Sequence, residues 1–208
     1  MRVPIPNFIW KTIGRLTSKA LATLEPTTQT RVDRGVLSIG DHTYGCPKIL
    51  RYEGDRNKVI IGKFCAISHD VKIFIGGGHP LQWVSNFPFR ARFDLPGKYN
   101  DGHPCSRGDV VIGNDIWIGM GATILSGVKV GHGAVISAQS FVVRNVPPYA
   151  VVAGNPAEVL FYRFREKQIK TLLQLRWWDW PLERILRSIH LLNGASIEDF
   201  ILDAQTME

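Results

Sequence analysis

The chain has few cysteines and no long apolar run. Its 208 residues include three cysteines that lie far apart and form no Cys-x-x-Cys pair: Cys46, Cys65 and Cys105. An odd number of dispersed cysteines predicts neither a disulfide framework nor a zinc site, and it favours a reducing, cytoplasmic location. No stretch approaches the ~18 consecutive apolar residues of a membrane span, so we predict no transmembrane helix.

Acidic residues are missing from the first 24 positions. This stretch mixes basic with large apolar side chains and has no secretory cleavage site, so we do not interpret it as a signal peptide. We predict that residues 1–35 form an N-terminal extension, with residues 1–24 docked as a helix. The alternative is a peripheral contact of residues 1–24 with an anionic membrane.

The net charge of +7 does not indicate a nucleic-acid partner. The basic residues are scattered along the chain, and no RNA-binding or helix-turn-helix motif is present. An anionic cofactor, or an acidic glycan or membrane, accounts for the charge more simply.

An aliphatic residue returns at every sixth position in the middle of the chain. The series is Ile112, Ile118, Ile124, Val130, Ile136 and Val142, and the same register occurs earlier at Ile61, Ile67 and Ile73. A small residue such as Gly113 or Gly119 often follows the aliphatic one. Helices repeat every ~3.6 residues and strands every ~2, so neither explains this period. A period of six is typical of a parallel β-helix built from hexapeptides, with the aliphatic side chains pointing to its axis.

The repeat is interrupted once. Ile73 and Ile112 are not separated by a multiple of six, so we predict an inserted loop over residues 76–109 within a β-helix domain of residues 36–160. The insertion begins Gly76-Gly77-Gly78-His79-Pro80. A long loop without periodicity is usually functional when it is ordered.

A different pattern follows the repeats. Residues 153–157 have the Gly, Asn and Pro content of a turn, which we expect to close the last coil. Residues 164–192 show helical spacing, broken near Pro181. We predict that residues 161–208 form a helical cap over the open end of the β-helix, where strand edges would otherwise be exposed.

Five segments together resemble one protein family. They are Ile-Gly-Lys-Phe-Cys-Ala-Ile (61–67), Gly78-His79 leading into Trp-Val-Ser-Asn-Phe-Pro-Phe (83–89), Ile-Gly-Asn-Asp-Ile-Trp-Ile-Gly (112–119), Val-Val-Ala-Gly-Asn-Pro-Ala (151–157) and Trp-Trp-Asp-Trp-Pro (177–181). Their order and spacing resemble the xenobiotic acetyltransferase branch of the hexapeptide-repeat acyltransferases. The resemblance implies a mainly β fold, a left-handed parallel β-helix with a long inserted loop and C-terminal α-helices. It also implies a homotrimer with active sites at the subunit interfaces.

The same resemblance implies an activity. Such enzymes transfer acetyl from acetyl-CoA to an acceptor hydroxyl, and His79 matches the histidine that acts as general base. Neutral imidazole can take a proton near pH 7, which a hydroxyl needs before it becomes a good nucleophile. Trp83 and Phe87 belong to the same motif and are expected to contact the acceptor. The oxyanion needs a donor, either a backbone N–H or the indole of Trp117.

The other histidines lack such a motif. His103 lies in the insertion, but its flanking residues indicate a turn, so we predict no catalytic role for it. His132 occupies a corner of a hexapeptide, where we expect a solvated side chain.

The resemblance further implies a cosubstrate site. Matching positions are Trp117, Gly119, Ala138, Arg144, Asn155 and Pro156, and Arg163 is expected to stand in for basic residues that the family has nearby. The alternative for Trp117 is packing in the core, and that for Arg163, with Arg165 and Lys167, is a solvated helix start. Glu158 departs from the family, in which a basic residue often follows Asn-Pro-Ala.

The segment before the first repeats bears on the identity of the acceptor. Residues 38–49 are shorter than, and unlike, the tyrosine- and histidine-rich segment of the antibiotic-modifying members. We therefore favour a hydroxyl of a sugar or cell-surface glycan as acceptor. The alternatives are an antibiotic hydroxyl (chloramphenicol or a streptogramin) and an amino-sugar N-acetyltransferase. The Gly78-His79 motif argues against a non-catalytic scaffold, and the histidine spacing argues against a metal-dependent carbonic anhydrase, so we expect no metal.

Overall fold

The computed structural model describes residues 35–194 and 196–206. The predictions for residues 1–24 therefore lie outside the described part of the chain. No helix within the described ranges has the length and apolar character needed to cross a bilayer.

Thirteen short strands in the described residues form three sheets. They are β1 (Leu37–Ile39), β2 (Lys48–Leu50), β3 (Val59–Ile61), β4 (Ala66–Ile67), β5 (Lys72–Phe74), β6 (Val110–Ile112), β7 (Trp117–Ile118), β8 (Thr123–Ile124), β9 (Lys129–Val130), β10 (Val135–Ile136), β11 (Phe141–Val142), β12 (Ala150–Gly154) and β13 (Ala157–Tyr162). Sheet 1 has the order β1-β3-β6-β9, sheet 2 the order β13-β12-β10-β7-β4, and sheet 3 the order β11-β8-β5-β2. Apart from the antiparallel pair β12–β13, all pairings between these strands are parallel.

The chain visits the three sheets in turn, so it forms the coils of a β-helix. We call the corner where it passes from sheet 1 to sheet 2 edge 1–2, and the following corners edge 2–3 and edge 3–1. Ile118 lies between Ile67 and Ile136 in the adjacent coils of sheet 2. All three side chains are buried, as the six-residue period predicts. A core built this way grows by one layer with each coil.

The corners explain the small residues of the repeat. A Cβ atom on Gly119 would lie 2.4 Å from the backbone nitrogen of Ala138 in the next coil, so only glycine fits there. Left-handed φ values also recur every sixth residue, at Asp115, Gly121, Gly127, Gly133 and Gln139. These features support a parallel β-helix, and its left-handed winding stays a prediction.

The long insertion leaves the β-helix at edge 3–1. It lies between the end of β5 at Phe74 and the start of β6 at Val110. It contains one short helix, α1 (Phe89–Arg92), in a segment for which the sequence showed no periodicity.

The chain continues after the coils as a hairpin and four helices. Strands β12 and β13 pair across the turn at Asn155 and Pro156, where the sequence predicted a turn. The helices are α2 (Glu166–Leu175), α3 (Leu182–Arg187), α4 (Ile189–Leu192) and α5 (Ile197–Thr206), with a 3₁₀ turn at Trp177–Asp179 between α2 and α3.

These helices pack along edge 1–2. The ring of Trp177 lies 5.2 Å from that of Phe64, and the Nζ atom of Lys63 lies 3.0 Å from Oδ1 of Asp179. Three coils further along, Phe164 packs edge to face on Tyr149, which is fully buried. The helices thus lie along one side of the β-helix, whereas the sequence analysis placed them over its open end. The tryptophan pair explains the difference, because Trp178 is buried, and Trp177 half-buried, against the corner residues.

His132 belongs to this contact and is not the solvated corner residue that we expected. Its ring stacks on Trp178 with the centroids 4.6 Å apart, and its Nδ1 accepts the backbone N–H of Asn114 at 2.9 Å. Burial lowers the pKa of His132, and the nearby Arg176 lowers it further. A protonated Nδ1 could not accept the Asn114 hydrogen bond, which also favours the neutral ring.

We predict that acid destabilises the fold through His132. A histidine whose pKa is lowered on folding stabilises the protein above its unfolded pKa of about 6.5, and this contribution is lost as the pH falls through the folded value. The free energy of unfolding should therefore decrease below about pH 6.5 in the wild type and depend less on pH in His132→Phe. Urea denaturation between about pH 8 and pH 5 measures both slopes. The exposed His69→Gln variant should keep the wild-type slope, and equal slopes for wild type and His132→Phe would refute the assignment.

Candidate active site

The insertion begins with glycines that are pressed against the loop after β2. A Cβ atom on Gly76 would lie 1.8 Å from Oδ1 of Asp55, a buried carboxylate. A Cβ atom on Gly77 would lie 2.2 Å from the ring of Tyr52, and Gly77 has a φ of +81°. The Asp55 carboxylate is held in turn, because its Oδ2 accepts the Tyr52 N–H at 2.8 Å. These contacts fix the path of the chain as it enters the insertion.

A backbone pair closes the insertion at its base. The N–H of Gly78 donates to the carbonyl of Cys105 at 3.0 Å, and the N–H of Cys105 donates to the carbonyl of Gly78 at 2.8 Å. The Cys105 sulfur would lie 2.8 Å from a Cβ atom on Gly78, so this third glycine is also required. Because His79 follows directly, its backbone starts from a fixed point.

The imidazole of His79 is exposed and oriented by one hydrogen bond. Its Nδ1 lies 2.5 Å from the carbonyl oxygen of Asn86 within the insertion. A carbonyl can only accept, so Nδ1 carries the proton and Nε2 keeps a free lone pair. The ring can therefore take a proton at Nε2, as a general base must.

A second imidazole lies beside the first. The rings of His79 and His103 meet edge to face, with the centroids 4.6 Å apart and 69° between the planes. The sequence analysis placed His103 in the same insertion without predicting this contact, and the absence of a catalytic role for it stays a prediction. Burial lowers the pKa of His103, and the neighbouring His79 lowers it further. No spacing in the sequence signals this contact, because it depends on how the insertion folds back.

Two cavities flank His79. The larger, about 610 Å³, is lined by the glycine run and by residues that include Leu81, Trp83, Arg107 and Leu125. The smaller, about 300 Å³, is lined among others by Tyr52, Glu53, Arg92, Tyr99 and His103. Both have the size of small-molecule sites or of parts of one.

The two predicted acceptor-binding residues occupy different places. Trp83 lines the larger cavity beside His79. Phe87 packs on Phe89 and Phe93 instead, with ring centroids 4.9 and 6.1 Å away, and it is absent from the lining of both cavities. The structure thus brings Trp83, but not Phe87, to the surface of a cavity that His79 shares.

The predicted cosubstrate residues lie elsewhere on the chain. Trp117 is 56% exposed on the outer face of sheet 2, so it does not pack in the core. Gly119 and Ala138 stack on each other at edge 2–3. Asn155 and Pro156 form the turn between β12 and β13. None of these residues lines a cavity beside His79, which lies at edge 3–1.

The two predicted arginines already have partners. An Nη1 atom of Arg144 lies 2.9 Å from the Glu158 carboxylate, so the acid that departs from the family pattern neutralises this base. Arg163 donates to the carbonyl of Gly133 at 2.6 Å and lies 3.5 Å from the Asp115 carboxylate. Burial raises the pKa of Asp115, and Arg163 opposes this. Arg163 therefore holds the helices to edge 1–2, and its contact with a cosubstrate stays a prediction.

Known proteins share the repeat and the larger part of the chain. The family model "Bacterial transferase hexapeptide (six repeats)" matches residues 109–144. A chloramphenicol acetyltransferase from Escherichia coli is 42% identical over 152 residues, which cover 72% of this chain and 72% of that protein. A protein named probable macrolide acetyltransferase, from Lysinibacillus sphaericus, is 39% identical over 155 residues, covering 72% and 86%. A hexapeptide-repeat-containing acetyltransferase from Vibrio cholerae, solved with acetyl coenzyme A, has a TM-score of 0.48 at 26% identity and 62% coverage of each chain.

The coils, the inserted histidine and these similarities define a hexapeptide-repeat acyltransferase. The chain belongs to the xenobiotic acetyltransferase branch of that family. It is thus an acetyltransferase, and acetyl-CoA is its cosubstrate. Within the described ranges, no three His, Cys, Asp or Glu side chains are placed to hold a metal ion.

We predict that the first glycine of the insertion is needed for activity. In Gly76→Ala the new methyl group must displace the Asp55 carboxylate, which shifts Tyr52 and the backbone before His79. We expect about 1–3 kcal/mol lower stability, the usual cost of overpacking, and a lower kcat. Gly97→Ala is the control within the insertion. Its methyl group would meet nothing closer than 3.9 Å, and its φ of +83° adds a backbone strain that Gly76→Ala lacks, so it should lose some stability but keep kcat. Denaturation and thiol release from acetyl-CoA measure both effects. Wild-type kcat in Gly76→Ala would contradict the prediction.

Proposed function

We propose that this protein acetylates a hydroxyl group of an antibiotic of the chloramphenicol type, with His79 as general base and active sites between the subunits of a homotrimer. The observation that carries the proposal is the hydrogen bond from His79 Nδ1 to the carbonyl of Asn86. It fixes the tautomer in which Nε2 is the basic nitrogen.

The reaction needs no covalent enzyme intermediate. Nε2 of His79 takes the proton of the acceptor hydroxyl while its oxygen attacks the thioester carbonyl of acetyl-CoA. The tetrahedral intermediate collapses as the carbon–sulfur bond breaks, and the proton on Nε2 passes to the departing thiolate. A hydrogen-bond donor must stabilise the oxyanion, and the exposed indole of Trp117 remains the side-chain candidate.

The comparisons favour an antibiotic acceptor over the glycan that the sequence favoured. Relatives named for chloramphenicol and macrolide acetylation match about 72% of the chain at about 40% identity. The volumes of the cavities beside His79 suit a small-molecule acceptor such as these antibiotics. The larger offers the indole of Trp83, and the smaller offers the rings of Tyr52 and Tyr99 with the charged Glu53 and Arg92.

The placement of the site residues supports the homotrimer. His79 lies at edge 3–1, whereas Gly119 and Ala138 lie at edge 2–3, so one chain does not bring base and cosubstrate together. The insertion also exposes large apolar side chains beside His79, including Leu81 at 88% and Val84 fully. A neighbouring chain would cover them and bring its own edge 2–3 to this histidine. We place the reaction in the cytoplasm, because that is where acetyl-CoA is available.

A sugar or glycan hydroxyl is the second candidate. The observation in its favour is the position of His42 in the first coil, where it stacks on Phe64 at edge 1–2 with ring centroids 4.8 Å apart. His42 therefore does not line the cavities beside His79. The first coil thus differs from the histidine-rich segment of the antibiotic-modifying members, which favours another acceptor. Carboxylate, guanidinium and phenol groups, as found in the smaller cavity, can also bind sugar hydroxyls.

We expect His79→Ala to lower kcat by about 10²–10⁴-fold, the usual contribution of a general base, with little change in the KM for acetyl-CoA. Thiol release in the presence of a saturating acceptor measures both constants. His190→Ala is the matched control, since this exposed histidine lies on α4, outside the lining of both cavities. Near-wild-type kcat in a folded His79→Ala protein would show that another group is the base.

The acceptor is tested by the same thiol assay across chloramphenicol, a streptogramin, a macrolide, free sugars and lipid-linked glycans. We expect chloramphenicol to be acetylated and its analogue without the primary hydroxyl to be inert. Turnover of a sugar or glycan, with no turnover of any of the antibiotics, would overturn the antibiotic assignment and establish the second candidate.

A further inference from the structure

His103 lies in van der Waals contact with the proposed base although it is distant in sequence. The Gly78–Cys105 backbone pair brings the two ends of the insertion together. His79 follows Gly78 directly and His103 lies two residues before Cys105, so the two histidines come close to each other. Their rings meet edge to face at a centroid distance of 4.6 Å, and both line the smaller cavity. His103 therefore packs directly against the His79 ring.

The hydrogen bonds of His103, which is half-buried, are unusual. Its ring Nδ1 is buried and has no hydrogen-bond partner, and the nearby Asp101 carboxylate accepts the backbone N–H of His103 instead, at 3.2 Å. The acids around the ring, Asp101 and Asp55, raise its pKa, but burial and His79 lower it more. The net shift favours the neutral form of His103, which limits the positive charge next to His79.

We propose, on the basis of the function proposed above, that His103 is a positioning residue for His79. The Asn86 carbonyl holds only one nitrogen of the exposed His79 ring, and a side-chain rotation that breaks this hydrogen bond would swing Nε2 away and release the tautomer. The neutral ring of His103 blocks this rotation by packing against His79. It also avoids the repulsion that a charged neighbour would exert on the imidazolium formed during the reaction. Misplacing a reacting group by about 1 Å can cost roughly 100-fold in rate, so a packing partner of the base affects kcat.

The test compares two substitutions at this position in the full-length protein. His103→Ala removes the packing partner, whereas His103→Phe keeps a flat ring and removes both nitrogens. We expect His103→Ala to lower kcat by about 10–100-fold with an unchanged KM for acetyl-CoA. We expect His103→Phe to recover most of the lost kcat, because the packing is restored. A wild-type kcat in His103→Ala, or an equal loss in both variants, would overturn the proposal.

A spectroscopic measurement keeps the inference independent of the acceptor. Long-range ¹H–¹⁵N correlation of the imidazoles reports which nitrogen of His79 carries the proton. We expect a single Nδ1–H form in the wild type and in His103→Phe, and a mixture of tautomers in His103→Ala. If the wild type acetylates none of the acceptors, the proposed function fails, and the tautomer spectra still decide the role of His103. Identical His79 spectra in wild type and His103→Ala would refute it.

Discussion

The burial of one aliphatic side chain in every six residues determines where all other parts of this molecule lie. Ile67, Ile118, Ile136 and Val152 stack in sheet 2, and equivalent stacks fill the other two sheets. A slip by one residue would turn these side chains outward, so the register is strongly fixed. The edges of the β-helix are fixed with it, and His79, Gly119 and Ala138 lie at two of these edges.

The contacts at the base of the insertion fix the position of His79 relative to the rigid β-helix. Three consecutive glycines meet Asp55, Tyr52 and Cys105, each at a distance that leaves no room for a side chain. His79 follows directly, and its hydrogen bond to the Asn86 carbonyl of the same loop fixes its tautomer. Long loops usually place side chains loosely, and here the tight entry compensates for the length of the loop.

The sequence alone predicted the features that depend on local spacing. The period of six predicted the buried positions, and the turn at Asn155 and Pro156 follows from residues that favour turns. The contacts of His103 with His79 and of Arg163 with Asp115 join segments that are far apart in the chain. No periodicity encodes them, because they arise only when the insertion folds back and when the helices reach edge 1–2. The stacking of Trp178 on His132 is also a contact between distant segments. It holds the helices along the side of the β-helix, whereas the sequence predicted them over its open end.

The use of the three edges constrains how the proposed trimer could be built. Edge 1–2 is covered by the C-terminal helices, through Trp177, Trp178 and the Arg163–Asp115 pair. Edge 3–1 carries the insertion with His79, and edge 2–3 carries Gly119 and Ala138 with no large side chain at these two positions. A three-fold assembly in which edge 3–1 of one chain meets edge 2–3 of the next would use both free edges in every subunit. Such an interface is heterologous and closes after three copies, so every proposed base would face the predicted cosubstrate residues of a neighbouring chain.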